Sequence, residues 1–440
     1  MIPGLRKEIG PMLRLATPLA MAELGWMAMG FVDTVMAGRL GAAAIGAGSL
    51  GGMLFFPIAI CGTGMLLGMD TVVSQAFGAR DDAACRRTLT QGVWIAVGLS
   101  PVIAALLALT IPLLRAIGTN AHVMELLAPF TYALLWGVLP LMLYSAFRRY
   151  LQAMDIVKPI TFAVVSANLL NFGGNWLLMY GNWGFPRMGL EGSGYATSIS
   201  RAYIALVLLI AVAWHERRAA VRVRIDWRPD GALIRRLMVL GFPSAMQILA
   251  EGAVFGIVSV MAARFDEVSL AAHSIAVNVI STTYMVPLGI SSAAAVRVGQ
   301  AAGRKSAAGM AVSGWTALGI STAFMSAAGI ALAFAPRWIA RLYTPEVAVI
   351  AASAGLLRIA ALFEIFDGLQ VVATGALRGL GETRIPAYAH LGGYWGLGLP
   401  VAYYLCFTWG WGVSGIWTGL TSALIAIGIV LVAAWRRKLG

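Results

Sequence analysis

The sequence predicts an all-α polytopic membrane protein, with twelve transmembrane helices in two six-helix bundles related by a parallel pseudo-two-fold along the membrane normal. Three observations predict it. Of 440 residues, 60% are hydrophobic and only 12% are charged, against about 25% charged in soluble domains. The apolar residues form blocks of about twenty or more, enough to cross a hydrocarbon core of about 30 Å at about 1.5 Å per residue. Motifs in the first half also recur in the second at a nearly constant offset.

Taken in order, the apolar blocks predict spans at 13–38, 47–77, 88–115, 123–147, 159–181, 190–214, 237–263, 269–296, 308–335, 347–377, 386–408 and 411–434. Ala20, Met21 and Ala22 resemble a processing site, but the apolar run continues past them, so the first span reads as retained. Basic residues alternate between sides. Of 32 Lys and Arg, 24 fall in the terminal and alternate polar segments of one side, seven of them between Arg217 and Arg236, and six fall on the other. Positive charge collects on the cytoplasmic face, which places both termini and the central segment there. The net charge of +13 is thus an orientation signal and calls for no nucleic-acid partner. Cys61 and Cys406 lie in spans and Cys85 in a loop, with no metal or disulfide spacing.

The internal repeat pairs Pro18 with Pro243, Met36 and Ala37 with Met261 and Ala262, and Arg39 with Arg264, all at one common offset. Gln75 to Gly78 (QAFG) matches Gln300 to Gly303 (QAAG) at the same offset. Pro159 matches Pro386, and Gly189 to Gly192 matches Gly412 to Gly415 at slightly shifted offsets. Six spans per half make the repeats parallel. The expected organisation is an N-terminal lobe over 1–214, a basic linker over 215–236 and a C-terminal lobe over 237–440. Two such lobes fit a transporter that alternates access to a site.

Ionisable residues inside spans are costly and therefore informative. Away from the span ends, the acids there are Glu23, Asp33, Asp70, Glu251, Glu364 and Asp367. At about 100° per residue, Glu23, Trp26, Gly30, Asp33 and Ala37 share one stripe, as do Asn168, Asn171 and Asn175. Ser244, Gln247 and Glu251 share a face of the seventh span; Glu364, Asp367, Thr374 and Arg378 share one of the tenth. A buried carboxylate with amide oxygens around it suits Na⁺ or a proton, and a lipophilic cation competes for the same charge. Asp70, near the cytoplasmic end of its span, reads as structural, and His273 and His390 as packing histidines.

These residues resemble the multidrug and toxic compound extrusion (MATE) family, within it the NorM-like branch. The markers are Phe31 to Gly38 (FVDTVMAG), Ser74 to Ala79 (SQAFGA), Ala271 to Asn278 (AAHSIAVN), Phe363 to Gln370 (FEIFDGLQ) and Leu377 to Arg384 (LRGLGETR). The resemblance implies cation-coupled export of organic cations by a cell inner membrane protein that works as a monomer. It implies that Glu251 and Asp367 bind the coupling cation, Na⁺ or H⁺, with Asp33 as a further site. Asn171, Asn175, Gln247 and Glu364 are the expected supporting residues, and Asp33, Asn278, Ser274 and Trp26 the expected substrate cavity. The family pattern has Gln where this chain has Ser274. No cofactor and no resident metal are expected, beyond a transported Na⁺ at Glu251 and Asp367.

Three other classes fit less well. Major facilitator transporters carry a basic loop motif after the second helix; Gly78, Asp82, Arg86 and Arg87 approach it, but Ala83 and Cys85 break it. A flippase for lipid-linked precursors calls for several cavity arginines, and only Arg201 and Arg358 lie clearly inside spans, away from their ends. An integral-membrane enzyme calls for a nucleophile or metal motif that the sequence does not display.

Overall fold

The computed structural model describes residues 4–218 and 226–439, so Arg222 and Arg224 of the basic linker lie outside the described residues. The spans are α1 (Leu5–Gly38), α2 (Ala42–Gly78), α3 (Asp82–Ala116), α4 (Ala121–Leu135 with Val138–Ala153), α5 (Lys158–Met179), α6 (Leu190–Arg218), α7 (Gly231–Ala262), α8 (Glu267–Gly303), α9 (Ala307–Phe334), α10 (Val347–Gly379), α11 (384–408) and α12 (Val413–Leu439). Ten of these are long and apolar enough to cross a membrane unaided. The eleventh, α4, bends by 44° between its two pieces. The twelfth, α11, is helical from end to end but passes through π geometry at Leu391–Gly398 and Tyr404–Thr408. The expected twelve spans are thus met, with several helices extending past the ends of their apolar blocks.

Those extensions follow from polar residues that cap well. Asp81, Asn120, Asp266 and Ser306 each accept a backbone N–H of the first turn that follows, at 2.8, 2.9, 2.7 and 3.1 Å. The repeat is written in the backbone too. After QAFG, Arg80 turns left-handed (φ 63°) and Asp81 N–H donates to Ala76 O. After QAAG, Lys305 does the same (φ 55°) and Ser306 N–H donates to Ala301 O. Each pair of positions keeps the offset of the sequence repeat, and each forms a reversed last turn that stops a helix before the next cap.

Contacts divide the chain into two compact units, Met21–Ala245 and a second made of Met1–Ala20 with Met246–Gly440. The boundaries fall inside α1 and α7 at repeat-equivalent positions, each just after a helix-interior proline, Pro18 or Pro243. They differ from the expected lobe limits at 214 and 237, because the first turns of α1 and α7 pack away from the rest of their own helices. In one unit Glu8 accepts two bonds from Arg297, both 2.8 Å, and one from Ser313. In the other, Trp94 and Gln91 hydrogen-bond the backbone of Trp227, Arg228 and Asp230.

Small residues make these crossings close. A methyl group on Gly64 would lie 2.7 Å from Ala245, and one on Gly289 2.7 Å from the Ala20 side chain; the two contacts are repeat equivalents. A methyl on Gly241 would lie 1.9 Å from Met65 O. Without a water-driven hydrophobic effect between spans, such close backbone approach is a main source of helix association.

Gly241→Ala is therefore expected to destabilise the protein by about 1–3 kcal/mol through overpacking. Gly252→Ala, on the same helix with open space around it, is expected to leave stability unchanged or slightly raised. Thermal midpoints read by size-exclusion of detergent-solubilised protein distinguish the two.

Candidate functional site

In the unit Met21–Ala245, one acid gathers neutral donors from two helices. Asp33 of α1 accepts from Asn175 Nδ2 at 2.6 Å and from Thr197 Oγ1 of α6 at 3.1 Å. Asn175 also donates to Asn171 Oδ1 at 3.2 Å, and Asn171 Nδ2 lies 3.4 Å from Thr197 Oγ1, closing a ring of four side chains. Asn171 and Asn175 are fully buried. The four meet because Asn171 and Asn175 are one turn apart on α5, where the helix passes into its terminal π turn. Asn175 Oδ1 has no hydrogen-bond partner among the described residues. The ring therefore offers carboxylate, amide and hydroxyl oxygens, the hard ligands that Na⁺ takes, and an acid that a proton can neutralise.

Arg201, one turn beyond Thr197, is buried with its guanidinium 4.2 Å above the Phe55 ring. It is an electrostatic neighbour of Asp33 without a hydrogen bond to it. Arg358 is exposed on α10.

Glu23 shares Asp33's helical stripe but not its chemistry. It is ion-paired to Arg148, which also donates to Tyr144 Oη at 3.1 Å, while Trp26 Nε1 donates to the same hydroxyl at 2.9 Å. Trp26 is thus tied into a charged network at the α1–α4 contact. Asn168 turns to the backbone of Gly25 and Val164. Asp70 accepts from Arg149 at 3.2 Å and Gln152 at 2.7 Å, the structural role its position suggests.

In the other unit the acids cluster around α11. Tyr394 Oη donates to Glu251 Oε1 of α7 at 3.3 Å, and Glu251, Asp367 and Tyr394 are electrostatic neighbours. Asp367 of α10, 4% exposed, accepts from Gln370 Nε2 at 3.0 Å. Gln370 Oε1 lies 2.6 Å from His390 Nε2, and Gln247 Nε2 lies 3.3 Å from the same nitrogen. Glu364, fully buried, accepts from Thr283 at 2.7 Å, and its second oxygen is unpartnered among the described residues. Gln247 thus supports His390 rather than Glu251.

Ser274 and Asn278 are exposed on α8, each bonded to a carbonyl one turn back on its own helix. They belong to the unit that contains Met246–Gly440, and Asp33 and Trp26 to the unit Met21–Ala245. Thr197, Gln370 and Tyr394 are the site residues that sequence reasoning passed over, and His390, read there as a packing histidine, joins them. Thr197 and Gln370 carried a usable signal, small or amide side chains within one turn of a span charge; Tyr394 carried none.

A family model described as MatE matches residues 18–177 and 243–404. The chain is 35% identical to a "Probable multidrug resistance protein NorM" of Mesorhizobium japonicum, over 98% of this chain and 94% of that one. It is 34% identical to "Multidrug resistance protein PmpM" of Pseudomonas aeruginosa, over 99% and 92%. Among solved structures it resembles the eukaryotic MATE transporter AtDTX14, with TM-score 0.87 at 20% identity over 99% of this chain and 98% of that one. It also resembles a MATE in complex with MaL6, with TM-score 0.90 at 18% identity over 97% and 95%. With a family model matched across both halves and relatives this similar over nearly the whole length, the chain belongs to the MATE family and is a multi-pass membrane transporter, not an enzyme.

Proposed function

We propose that this protein is a secondary antiporter that exports cationic, lipophilic compounds in exchange for inward Na⁺ or H⁺ by alternating access. The observation that carries the reading is the partnering of its span acids. Among the described residues, Asp33, Asp367, Glu251 and Glu364 hydrogen-bond only to amides and hydroxyls, so each, when ionised, carries a charge that a coupling cation can neutralise. A coupling cation and a cationic substrate that compete for such a charge exchange with one another by mass action. The multidrug names of the relatives support organic cations as the exported class.

In this reading Glu251 and Asp367 hold the coupling cation, Asp33 with Asn171 and Asn175 forms a second cation or substrate site, and Trp26, Ser274 and Asn278 border the substrate path. The two repeat halves act as the moving lobes, with 215–236 as the linker. The protein sits in the bacterial inner membrane with both termini cytoplasmic and works as a monomer.

Two outcomes are expected. In proteoliposomes, gradient-driven efflux of ethidium should fall to the rate of protein-free vesicles in a Glu251→Gln, Asp367→Asn double variant that remains monodisperse; efflux at the wild-type rate would sink the assignment. For orientation, single cysteines replacing exposed Asp155 and exposed His122, in a chain without its three native cysteines, should react with a membrane-impermeant maleimide from opposite sides. Asp155→Cys should react in inside-out vesicles and His122→Cys in intact spheroplasts.

A further inference from the structure

The start of α3 holds a polar clamp that the repeat does not require. Gln91 Nε2 donates to Arg228 O at 3.1 Å, and Gln91 Oε1 accepts from Asp230 N–H at 2.8 Å. Trp94 Nε1 donates to Trp227 O at 2.8 Å. Residues 227–230 are thereby laid along the α3 face on which Arg87, Gln91 and Trp94 follow one another at helical spacing. At the repeat offset, Gln91 corresponds to Thr316, Trp94 to Gly319, Arg87 to Val312, Trp227 to Ile2 and Arg228 to Pro3. The other half builds its frame without these residue types, which leaves the clamp to a task specific to this half.

What the clamp displays is basic and aromatic. Arg87, Trp94, Trp227 and Arg228 are all exposed, and neither guanidinium has a hydrogen-bond or ion-pair partner among the described residues. The acids of the segment are spent on backbone. Asp226 accepts from Arg228 N–H at 2.9 Å, and Asp230 accepts from the N–H groups of Ala232 and Leu233 at 3.0 and 3.1 Å, capping α7. Further along α3 the same face stays open and turns apolar. Gly98 has open space around it, and Pro101, Val102, Ala105, Leu106 and Leu109 line an open groove of about 540 Å³. Pro101 lies about 10 Å beyond Trp94 along the axis. That is within the depth of about 15 Å that the tails of one leaflet reach in a core about 30 Å thick. Of the ten spans that cross unaided, α3 is the least buried.

We infer that this face of α3 and the clamped segment form a binding site for an anionic phospholipid. The guanidiniums of Arg87 and Arg228 take the phosphate, which suits their planar array of donors. The indoles of Trp94 and Trp227 sit at the interface that tryptophan favours, and an acyl chain runs past Gly98 into the groove. Basic, aromatic and apolar surfaces succeed one another along a single helix face in the order of headgroup, interface and tail. A free phosphate would use only the first of them. A lipid held there fixes the depth of the segment that leads into α7. The site requires only that the chain is a multi-pass membrane protein, so its failure would leave the antiporter reading untouched.

The thermal midpoint of the full-length protein in a neutral detergent tests this. Phosphatidylglycerol should raise the midpoint further than phosphatidylcholine at equal concentration, because a ligand of the folded state stabilises that state. Inorganic phosphate should not, and a shift with phosphate as large as that with phosphatidylglycerol overturns the lipid assignment. Arg87→Gln, Arg228→Gln should lose at least half of the phosphatidylglycerol excess. Arg436→Gln, Arg437→Gln, which removes the same charge from the end of α12, should keep most of it. No excess in the wild type, a full excess in the first variant, or an equal loss in both variants overturns the proposal. Contact with the tail has its own readout. Phosphatidylglycerol brominated in its acyl chains should quench a larger fraction of the indole fluorescence in the wild type than in Trp94→Phe, Trp227→Phe. An unchanged fraction overturns the proposal even where the arginine variant misfolds.

Discussion

The organisation of this protein depends on one constraint: a carboxylate inside an apolar span has to be compensated, at a cost of about 2.5–3.5 kcal/mol at a helix centre on insertion scales. The chain compensates in two ways. Glu8, Glu23, Asp70 and Glu216 are matched by Arg297, Arg148, Arg149 and Arg86. A full counter-charge is already present at each, and an arriving cation gains little there. Asp33, Asp367, Glu251 and Glu364 receive only neutral donors among the described residues. Neutral donors stabilise a carboxylate without cancelling its charge, so these four remain attractive to a cation. Two groups of span acids are thus separated by the identity of the partner, arginine or neutral donor, not by burial.

That separation explains what the sequence could and could not convey. Span positions follow from the length of apolar runs, because these depend on composition alone. The set of span acids was equally legible. Their roles were not: Glu23 and Asp33 lie on one stripe of one helix, and only the fold reveals Arg148 beside the first and Asn175 beside the second. Gln247 illustrates the same limit, since a shared face with Glu251 did not imply a shared partner. His390 read as a packing histidine because its neighbours Gln247 and Gln370 come from α7 and α10, one of them far away in sequence. The unit boundaries inside α1 and α7 were also hidden, for they depend on which helix each turn packs against.

The repeat clarifies which features belong to the scaffold. Repeat-equivalent positions share the prolines inside α1 and α7, the left-handed residues Arg80 and Lys305, the caps Asp81 and Ser306, and the Gly64–Ala245 and Gly289–Ala20 crossings. Each serves the backbone: a missing N–H inside a helix, a positive φ, a cap, or a close approach that a larger side chain would prevent. Such requirements are met by few residue types, so they persist in both halves and are visible in the sequence.

The chemistry does not repeat. At the same offset Asp33 corresponds to Val258, Glu251 to Trp26, and Gln247 to Ala22. Each half therefore presents the same frame with a different polar insert, one built on Asp33 with two asparagines and a threonine, the other on Asp367 and Glu251 with a glutamine, a tyrosine and a histidine. Helix crossings are constrained by neighbours on all sides, whereas a polar insert needs only that its own donors and acceptors balance. Two unlike inserts in like frames can differ in the cation they accept, and symmetry of the frame imposes no equal division of the coupling between them.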